Sequence, residues 1–318
     1  MAASISAISF YLPECVESNL EVGLLYPEWD VPRVVAKTGI RSRHVAGPGI
    51  CASDLAYEAA RRLLQSASIP LESIDCLVLC TQSPDYFLPA TACLLQDRLG
   101  LPSTCAAFDI NQGCSGYVYG LFLAKGLVES GLARYVLLLT GETYSKYVHP
   151  ADRTNRLLFG DAGSATLVAN GGSGAAIGNF VMGTDGRGAS NLIVEGGAHR
   201  HPERRCRGDQ AGPENLYMNG PEVFAFSLRR VPEVVNALLD RSNLTIDEID
   251  RFVFHQANAF MNETLRAKLK IPRAKYPLVL DGYGNTVSNT LPIVLHESGG
   301  FFSKGEKVML VGFGVGYS

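Results

Sequence analysis

Residues 108–121 read F-D-I-N-Q-G-C-S-G-Y-V-Y-G-L, an apolar strand that ends in a sharp polar turn and opens at once into an apolar helix. This places the Cys114 sulfur at a helix N-terminus. Unpaired N–H groups and the positive end of the dipole gather there and favour thiolate over thiol, which makes a cysteine nucleophilic near neutral pH. Gly113 and Gly116 leave room for a substrate, and Gly116 with Gly120 lets the helix pack closely. The other cysteines, at 15, 51, 76, 80, 93, 105 and 206, have no C-x-x-C pair and no metal-ligand spacing to a histidine. They are expected as reduced thiols filling small core positions, with no metal site.

Outward from this stretch, short apolar runs alternate with helical ones, the pattern of a sheet covered by helices. Strands are expected at 76–80, 106–110, 135–140, 165–168, 251–255 and 307–312, and helices at 53–66, 90–99, 115–130, 221–239 and 257–269, the first capped by Ser53. A Gly/Ser-rich stretch at 170–174 reads as a junction, dividing the chain into residues 1–170 and 171–318. Each part carries a similar unit: L-E-S-I-D-C-L-V-L-C-T (71–81) and L-T-I-D-E-I-D-R-F-V-F-H (244–255) both run from an acidic turn into an apolar strand with a polar tip. That is a short internal repeat.

The 318 residues are 47% hydrophobic and 19% charged, a globular composition without a disorder signature. The formal net charge of −3 excludes recognition of nucleic acid or an anionic membrane by bulk charge. No window is apolar enough to span a bilayer and the N-terminus carries no leader pattern, so the chain is expected to be soluble, unprocessed and cytoplasmic. One segment, Ala198–Gly208, concentrates Arg200, Arg204, Arg205 and Arg207 beside two histidines and is expected as a solvated loop.

Two further residues stand at chemically useful places. His255 ends the apolar strand R-F-V-F and begins H-Q-A-N, a strand tip of the kind where α/β proteins hold ligands. Asn285 lies in D-G-Y-G-N-T-V-S-N-T, a glycine-flanked turn before the apolar P-I-V-L-H helix. They lie 141 and 171 residues beyond Cys114, so only the fold can bring the three together.

With these pieces stand others in a fixed order: Y-L-P-E (11–14), K-T-G-I-R-S-R-H (37–44), L-P-A-T-A-C-L-L-Q (88–96), D-R-T-N-R-L-L-F-G-D-A-G-S-A (152–165), Y-M-N-G-P-E-V-F (217–224) and V-G-F-G-V-G (311–316). In this set the chain resembles the β-ketoacyl-[acyl-carrier-protein] synthase III family over nearly its whole length. The resemblance implies a thiolase-like five-layer αβαβα fold of two pseudo-repeated halves, and a homodimer whose acyl pocket is completed across an interface. It implies a triad of Cys114, His255 and Asn285, with the backbone N–H groups of Cys114 and Val315 as oxyanion donors. The acyl group would pass from a thioester carrier to Cys114, and His255 with Asn285 would hold a malonyl thioester while loss of CO2 generates the attacking enolate. No cofactor or metal is implied beyond phosphopantetheine, on acyl carrier protein or coenzyme A, as the carrier of both substrates.

Lys37, Arg153, Asn258, Leu88, Phe159 and Phe313 match substrate-binding positions of the family, and Asp161 matches a structural turn. Departures concern the substrate. Arg33 stands where the family's entrance has a tryptophan, and the only tryptophan, Trp29, lies four residues earlier. Phe260 replaces an arginine that meets carrier protein or nucleotide, which weakens coenzyme A as the primer carrier. Leu88 replaces the phenylalanine that closes the acyl pocket of acetyl-specific enzymes and implies room for a larger primer. The chain ends at Ser318, where the family continues through Trp-Gly into a last strand. Three alternatives keep part of this chemistry: an acyltransferase acting on a hydroxyl or amine, a non-catalytic partner subunit, and a cysteine hydrolase, since Cys, His, Asn is also the papain order. The intact Asn285, the intact triad and the G-C-S-G flank respectively favour condensation.

Overall fold

A computed structural model describes residues 2–171, 174–202, 211–298 and 305–318. The first sheet runs in the order β5-β4-β6-β7-β1-β8, formed by β1 (Ala3–Tyr11), β4 (Cys76–Cys80), β5 (Ala106–Ile110), β6 (Tyr135–Glu142), β7 (Ala162–Asn170) and β8 (Ala175–Ala176). β4 is parallel to β5 and β6, while β7 is antiparallel to both β6 and β1. A second, parallel pair joins β11 (Arg251–Phe254) to β12 (Val308–Val311). Two short antiparallel pairs complete the strands, β2 (Val16–Ser18) with β3 (Ser42–His44), and β9 (Leu192–Ile193) with β10 (Tyr217–Met218).

The layers follow from the two-residue period of strands, which sends successive side chains to opposite faces. Leu77 and Leu79 of β4, with Leu137 and Leu139 of β6, pack on one side with Ala56, Ala59 and Leu63 of α3 (Ala52–Ala67) and Leu95 of α4 (Thr91–Arg98). Cys76 and Val78, with Val136 and Leu138, face the other way onto Tyr117, Leu121 and Ala124 of α5 (Gly116–Glu129). Val253 of β11 enters that same cluster from beyond, together with Leu291 and Val294 of α8 (Thr290–Glu297). Its neighbours Phe252 and Phe254 point outward to Val231 and Val235 of α6 (Gly220–Ser242) and Leu265 of α7 (Ala259–Lys268). Helix, sheet, helix, sheet, helix is thus written in alternate residues, and α5 and α8 form the central layer.

The repeated unit folds alike in both places: a 3-10 turn at Leu71–Ser73 leads into β4, and one at Ile246–Glu248 leads into β11. Several expectations shift at their edges. β7 begins three residues early, at Ala162, and β6 runs on through Glu142. α3 is capped by Cys51, whose N–H is accepted by Asp54, rather than by Ser53. β1 was not expected, because A-S-I-S-A-I-S-F-Y has no apolar run; its partner, β7, supplies the order. Short helices α1 (Asn19–Leu25) and α2 (Val31–Thr38) were likewise not expected.

Of the arginine-rich segment, Arg200 is exposed, whereas Arg204, Arg205 and Arg207 lie outside the described residues. So do residues 172–173 of the junction. Among the described residues no helix is long and apolar enough to cross a membrane. Between β12 and residues 174–184 lies a cavity of about 1130 Å3 whose walls include Val118, Val231, Leu310 and Phe313, but not Cys114, His255 or Asn285.

Candidate active site

The strand–turn–helix expected at Cys114 forms as β5, the turn 111–115 and α5, with the Gly116 N–H donated to the Gly113 carbonyl at 2.8 Å. Cys114 is 5% exposed. Its cover comes from the far end of the chain. A Cβ on Gly314 would lie 2.7 Å from the Cys114 Cβ and 2.8 Å from its Sγ, and one on Gly312 would lie 2.7 Å from the Ser115 Cα. Glycine is therefore required for the 312–316 loop to lie on the nucleophile. From below, a Cβ on Gly116 would meet the Cys80 Sγ at 2.3 Å.

This burial overturns the expectation of a thiolate in the resting protein. Desolvation pushes the Cys114 thiol up to about 12, although the backbone N–H groups of Val315 and Cys114 hydrogen-bond the sulfur and pull the other way. The dipole of α5 is real, but a charge withdrawn from water costs more than one helix end returns. The same two N–H groups are the pair that the resemblance implies for an oxyanion.

His255 follows β11 directly, and its N–H continues the ladder to the Val311 carbonyl at 2.8 Å. Its carbonyl accepts from Asn262 Nδ2 at 3.0 Å, so backbone bonds on both sides fix the ring's root. The imidazole is 2% exposed and meets Phe313 edge-on, with centroids 5.5 Å apart. Desolvation lowers its pKa to about 3, against a hydrogen bond to the Val287 backbone that raises it, so the ring is neutral throughout the physiological range. Nδ1 lies 2.7 Å from the Thr290 hydroxyl, which also lies 3.1 Å from the Val287 carbonyl.

Asn285 is 5% exposed and doubly pinned: its N–H donates to the Leu158 carbonyl at 2.9 Å, and its own carbonyl accepts from Gly160 at 3.1 Å. Oδ1 accepts the Val287 N–H at 3.0 Å, which orients the carboxamide. The turn then passes through Val287, at φ +56°, into α8. Cys114 and His255 are thus joined through the 312–316 loop, and His255 and Asn285 through Val287 and Thr290. Phe159 pairs by its backbone with Asn285, and its carbonyl accepts from the buried Arg43 Nε at 2.9 Å. Phe313 and Phe159 are 4% and 3% exposed and belong to the apolar cluster that holds Cys114.

The remaining expected residues lie elsewhere. Asn258 caps α7, its Oδ1 accepting the Met261 N–H at 2.9 Å. Lys37, in the last turn of α2, sets its ammonium 4.9 Å over the Phe260 ring, and Phe260 stacks on Phe224 at 5.5 Å. Arg153 is exposed, and Leu88 is 81% exposed in the loop before α4, beside Tyr86 and Phe87 at 61% and 69%. Trp29 stacks on Tyr26 at 4.1 Å. Asp161 binds the Ala46 and Ser145 N–H groups at 2.7 and 3.0 Å, a turn-holding arrangement. Sequence reading missed Thr290, Arg43 and Glu142. Only Glu142 leaves a trace, as an acid closing the apolar run Y-V-L-L-L-T-G-E.

Residues 108–186 match the model of 3-oxoacyl-[acyl-carrier-protein (ACP)] synthase III, and residues 239–318 match that of its C-terminal part. A beta-ketoacyl-[acyl-carrier-protein] synthase III of Caldanaerobacter subterraneus subsp. tengcongensis is 36% identical over 99% of this chain and 95% of its own. A solved 3-oxoacyl-(acyl-carrier-protein) synthase III shares 51% identity at a TM-score of 0.94, covering 100% of this chain and 97% of that one. The priming beta-ketosynthase from the R1128 polyketide biosynthetic pathway shares 28% at 0.89, covering 99% and 93%. The alternating layers and the covered cysteine are accordingly those of a thiolase-like fold, and the chain belongs to the 3-oxoacyl-[acyl-carrier-protein] synthase III family.

Proposed function

We propose that the protein joins an acyl primer to a malonyl thioester by decarboxylative Claisen condensation, with Cys114, His255 and Asn285 as the catalytic residues. The observation that carries this is one buried sulfur facing two backbone N–H groups, Cys114 and Val315. In the first half-reaction Cys114 Sγ attacks the primer thioester, the new S–C bond replaces the carrier's, and the carrier thiol leaves with the cysteine's proton. The two N–H groups hold the oxygen of the tetrahedral intermediate. Because the resting sulfur is a thiol, its proton must leave as the S–C bond forms.

In the second half-reaction the C–CO2 bond of the malonyl group breaks, CO2 departs, and the remaining pair forms an enolate. His255 and Asn285 donate hydrogen bonds to that enolate oxygen. A neutral imidazole suits this role, since it offers one N–H and does not protonate the carbanion. The enolate carbon attacks the acyl carbon, the Cys114–acyl bond breaks, and the sulfur takes a proton as the β-keto thioester leaves. We place the enzyme in the cytoplasm as a homodimer served by acyl carrier protein, without a cofactor or metal of its own. Residues 1–170 supply the nucleophile and 171–318 supply His255 and Asn285. Lys37, Arg153 and Asn258 are assigned to the mouth of the carrier's channel, and Leu88, Phe159 and Phe313 to the acyl pocket. The exposure of Leu88 in a single chain supports its reaching the pocket of a second copy.

Intact-mass measurement tests the reading. Wild type incubated with acyl carriers gains the acyl mass, Cys114→Ala gains none, and His255→Ala and Asn285→Ala are acylated but fail to condense with malonyl carrier protein. Acylation followed only by hydrolysis would overturn it.

A further inference from the structure

Beneath the nucleophile lies a buried carboxyl that the reaction above does not use. Glu142, the last residue of β6, is fully buried. Its four hydrogen-bond contacts are all with neutral donors: the Gln82 N–H at 3.2 Å from both oxygens, the Ser83 hydroxyl at 3.0 Å on Oε2 and the Ser288 hydroxyl at 3.1 Å on Oε1. These donors sit on two separate parts of the site. Gln82 and Ser83 follow β4, and Gln82 lies flush with the nucleophile's turn, where a Cβ on Gly113 would be 2.5 Å from its Oε1. That Oε1 also accepts the Tyr144 hydroxyl at 2.6 Å, while Gln82 Nε2 donates to Asn111 at 3.2 Å. Ser288 belongs to the turn between Asn285 and Thr290, which orients the carboxamide and contacts the imidazole.

The titratable groups facing this carboxyl are Cys80 at the end of β4, Cys114 before α5, Tyr144 after β6 and Asp161 before β7. From α8's side it meets only the Ser288 hydroxyl. Desolvation outweighs the three donors and raises Glu142 to about 8, so the group is neutral at pH 7 and gains charge as the medium turns mildly alkaline. A negative charge there raises the Cys114 thiol further. A carboxyl able to donate or accept also suits two serine hydroxyls in either orientation.

We infer that Glu142 is a positioning residue which, in its neutral form, ties the nucleophile's turn to the turn bearing Asn285, and whose ionisation limits the reactivity of Cys114 at alkaline pH. This rests on Cys114 being the nucleophile.

The test is the rate at which Cys114 is carbamidomethylated by iodoacetamide between pH 6.5 and 9.5, followed by peptide mass so that the other cysteines do not count. Far below its pKa a lone thiol reacts about tenfold faster per pH unit, in step with its thiolate fraction. Wild type should follow that slope below pH 7.5 and bend under it near 8. Glu142→Gln, which keeps the shape and cannot ionise, should continue along the full slope. Ser288→Ala removes a donor to the carboxylate, so its bend should move to higher pH, a shift that does not depend on the first variant folding. Superimposable bends in all three proteins overturn the role of Glu142. An unmodified Cys114 at every pH instead overturns the reading of that residue as the nucleophile.

Discussion

The floor of the site and its mouth are built on opposite terms. Cys114, His255 and Asn285 are 5%, 2% and 5% exposed, and backbone hydrogen bonds or glycine contacts fix each of them. Of the residues proposed above for primer and carrier, Leu88 is 81% exposed, and Lys37 sets its ammonium over the ring of Phe260, itself 47% exposed. On the proposed assignment, chemistry that needs atoms within a few tenths of an ångström sits where packing permits one arrangement, and choice among primers and carriers sits where side chains can change without disturbing the core. Substitutions in the floor should therefore abolish the reaction, and those in the mouth should redistribute it.

The largest effect is expected at Gly314. Its alanine variant would drive a methyl into the Cys114 Cβ and Sγ, displacing the loop that carries the Val315 N–H. Loss of an oxyanion donor costs roughly 10^2–10^3-fold in kcat. Acylation measured by intact mass should fall by that factor, and an unchanged rate would show that the loop does not serve the sulfur.

Arg43 comes next and acts on stability first. It is 1% exposed, pairs with Glu17 and donates to the Phe159 carbonyl at 2.9 Å and to Asn19 Oδ1 at 2.6 Å. Since Phe159 is paired with Asn285, this buried cation reaches the floor through one residue. Arg43→Met strands the Phe159 and Asn19 acceptors, while the part-exposed Glu17 keeps Arg156, and a buried acceptor left unsatisfied costs about 1–3 kcal/mol. Denaturant unfolding should show that loss; a change below about 1 kcal/mol would make the pair dispensable.

How much of this contrast was legible in the sequence follows from the range of the forces involved. The strand, turn and helix around Cys114 are local, so their periodicity announces them, and so do the strand tip at His255 and the glycine-flanked turn at Asn285. β1 was hidden because its order comes from β7, about 160 residues later, and its alternation A-S-I-S-A is short, stops at Ile8 and is built largely of small residues. The state of the Cys114 thiol was misread for the same reason. A helix end is visible locally, but the 312–316 loop that excludes water comes from the far end of the chain. Thr290 and Glu142 matter through contacts 35 and 146 residues away, with His255 and Ser288 respectively, which no spacing rule reports.

Leu88→Phe sharpens the comparison without touching the floor. If Leu88 lines the acyl pocket of a second copy, a larger ring shortens that pocket, and pockets discriminate a methylene or two by roughly 10-fold or more. Primer panels should show longer acyl groups losing kcat/KM by about that factor relative to acetyl, with acetyl itself little changed. Equal losses for all lengths would place Leu88 outside the pocket.

Phe260 carries the smallest expected effect. Its ring is stacked on Phe224 and lies 4.9 Å from the Lys37 ammonium, so an aromatic pair carries one positive charge. A cation held over an exposed ring is worth about 0.5–1 kcal/mol, which corresponds to a change of roughly 2–5-fold. Phe260→Ala frees the Lys37 side chain and should raise KM for the carrier by that factor while leaving kcat untouched, because no catalytic contact changes. Phe260→Arg places a cation at the position and removes the ring, so it should favour a nucleotide-bearing carrier over a protein-borne one. If both variants bind coenzyme A and acyl carrier protein thioesters as wild type does, the mouth lies elsewhere on the surface, and the division between a rigid floor and an adjustable rim would have to be drawn around different residues.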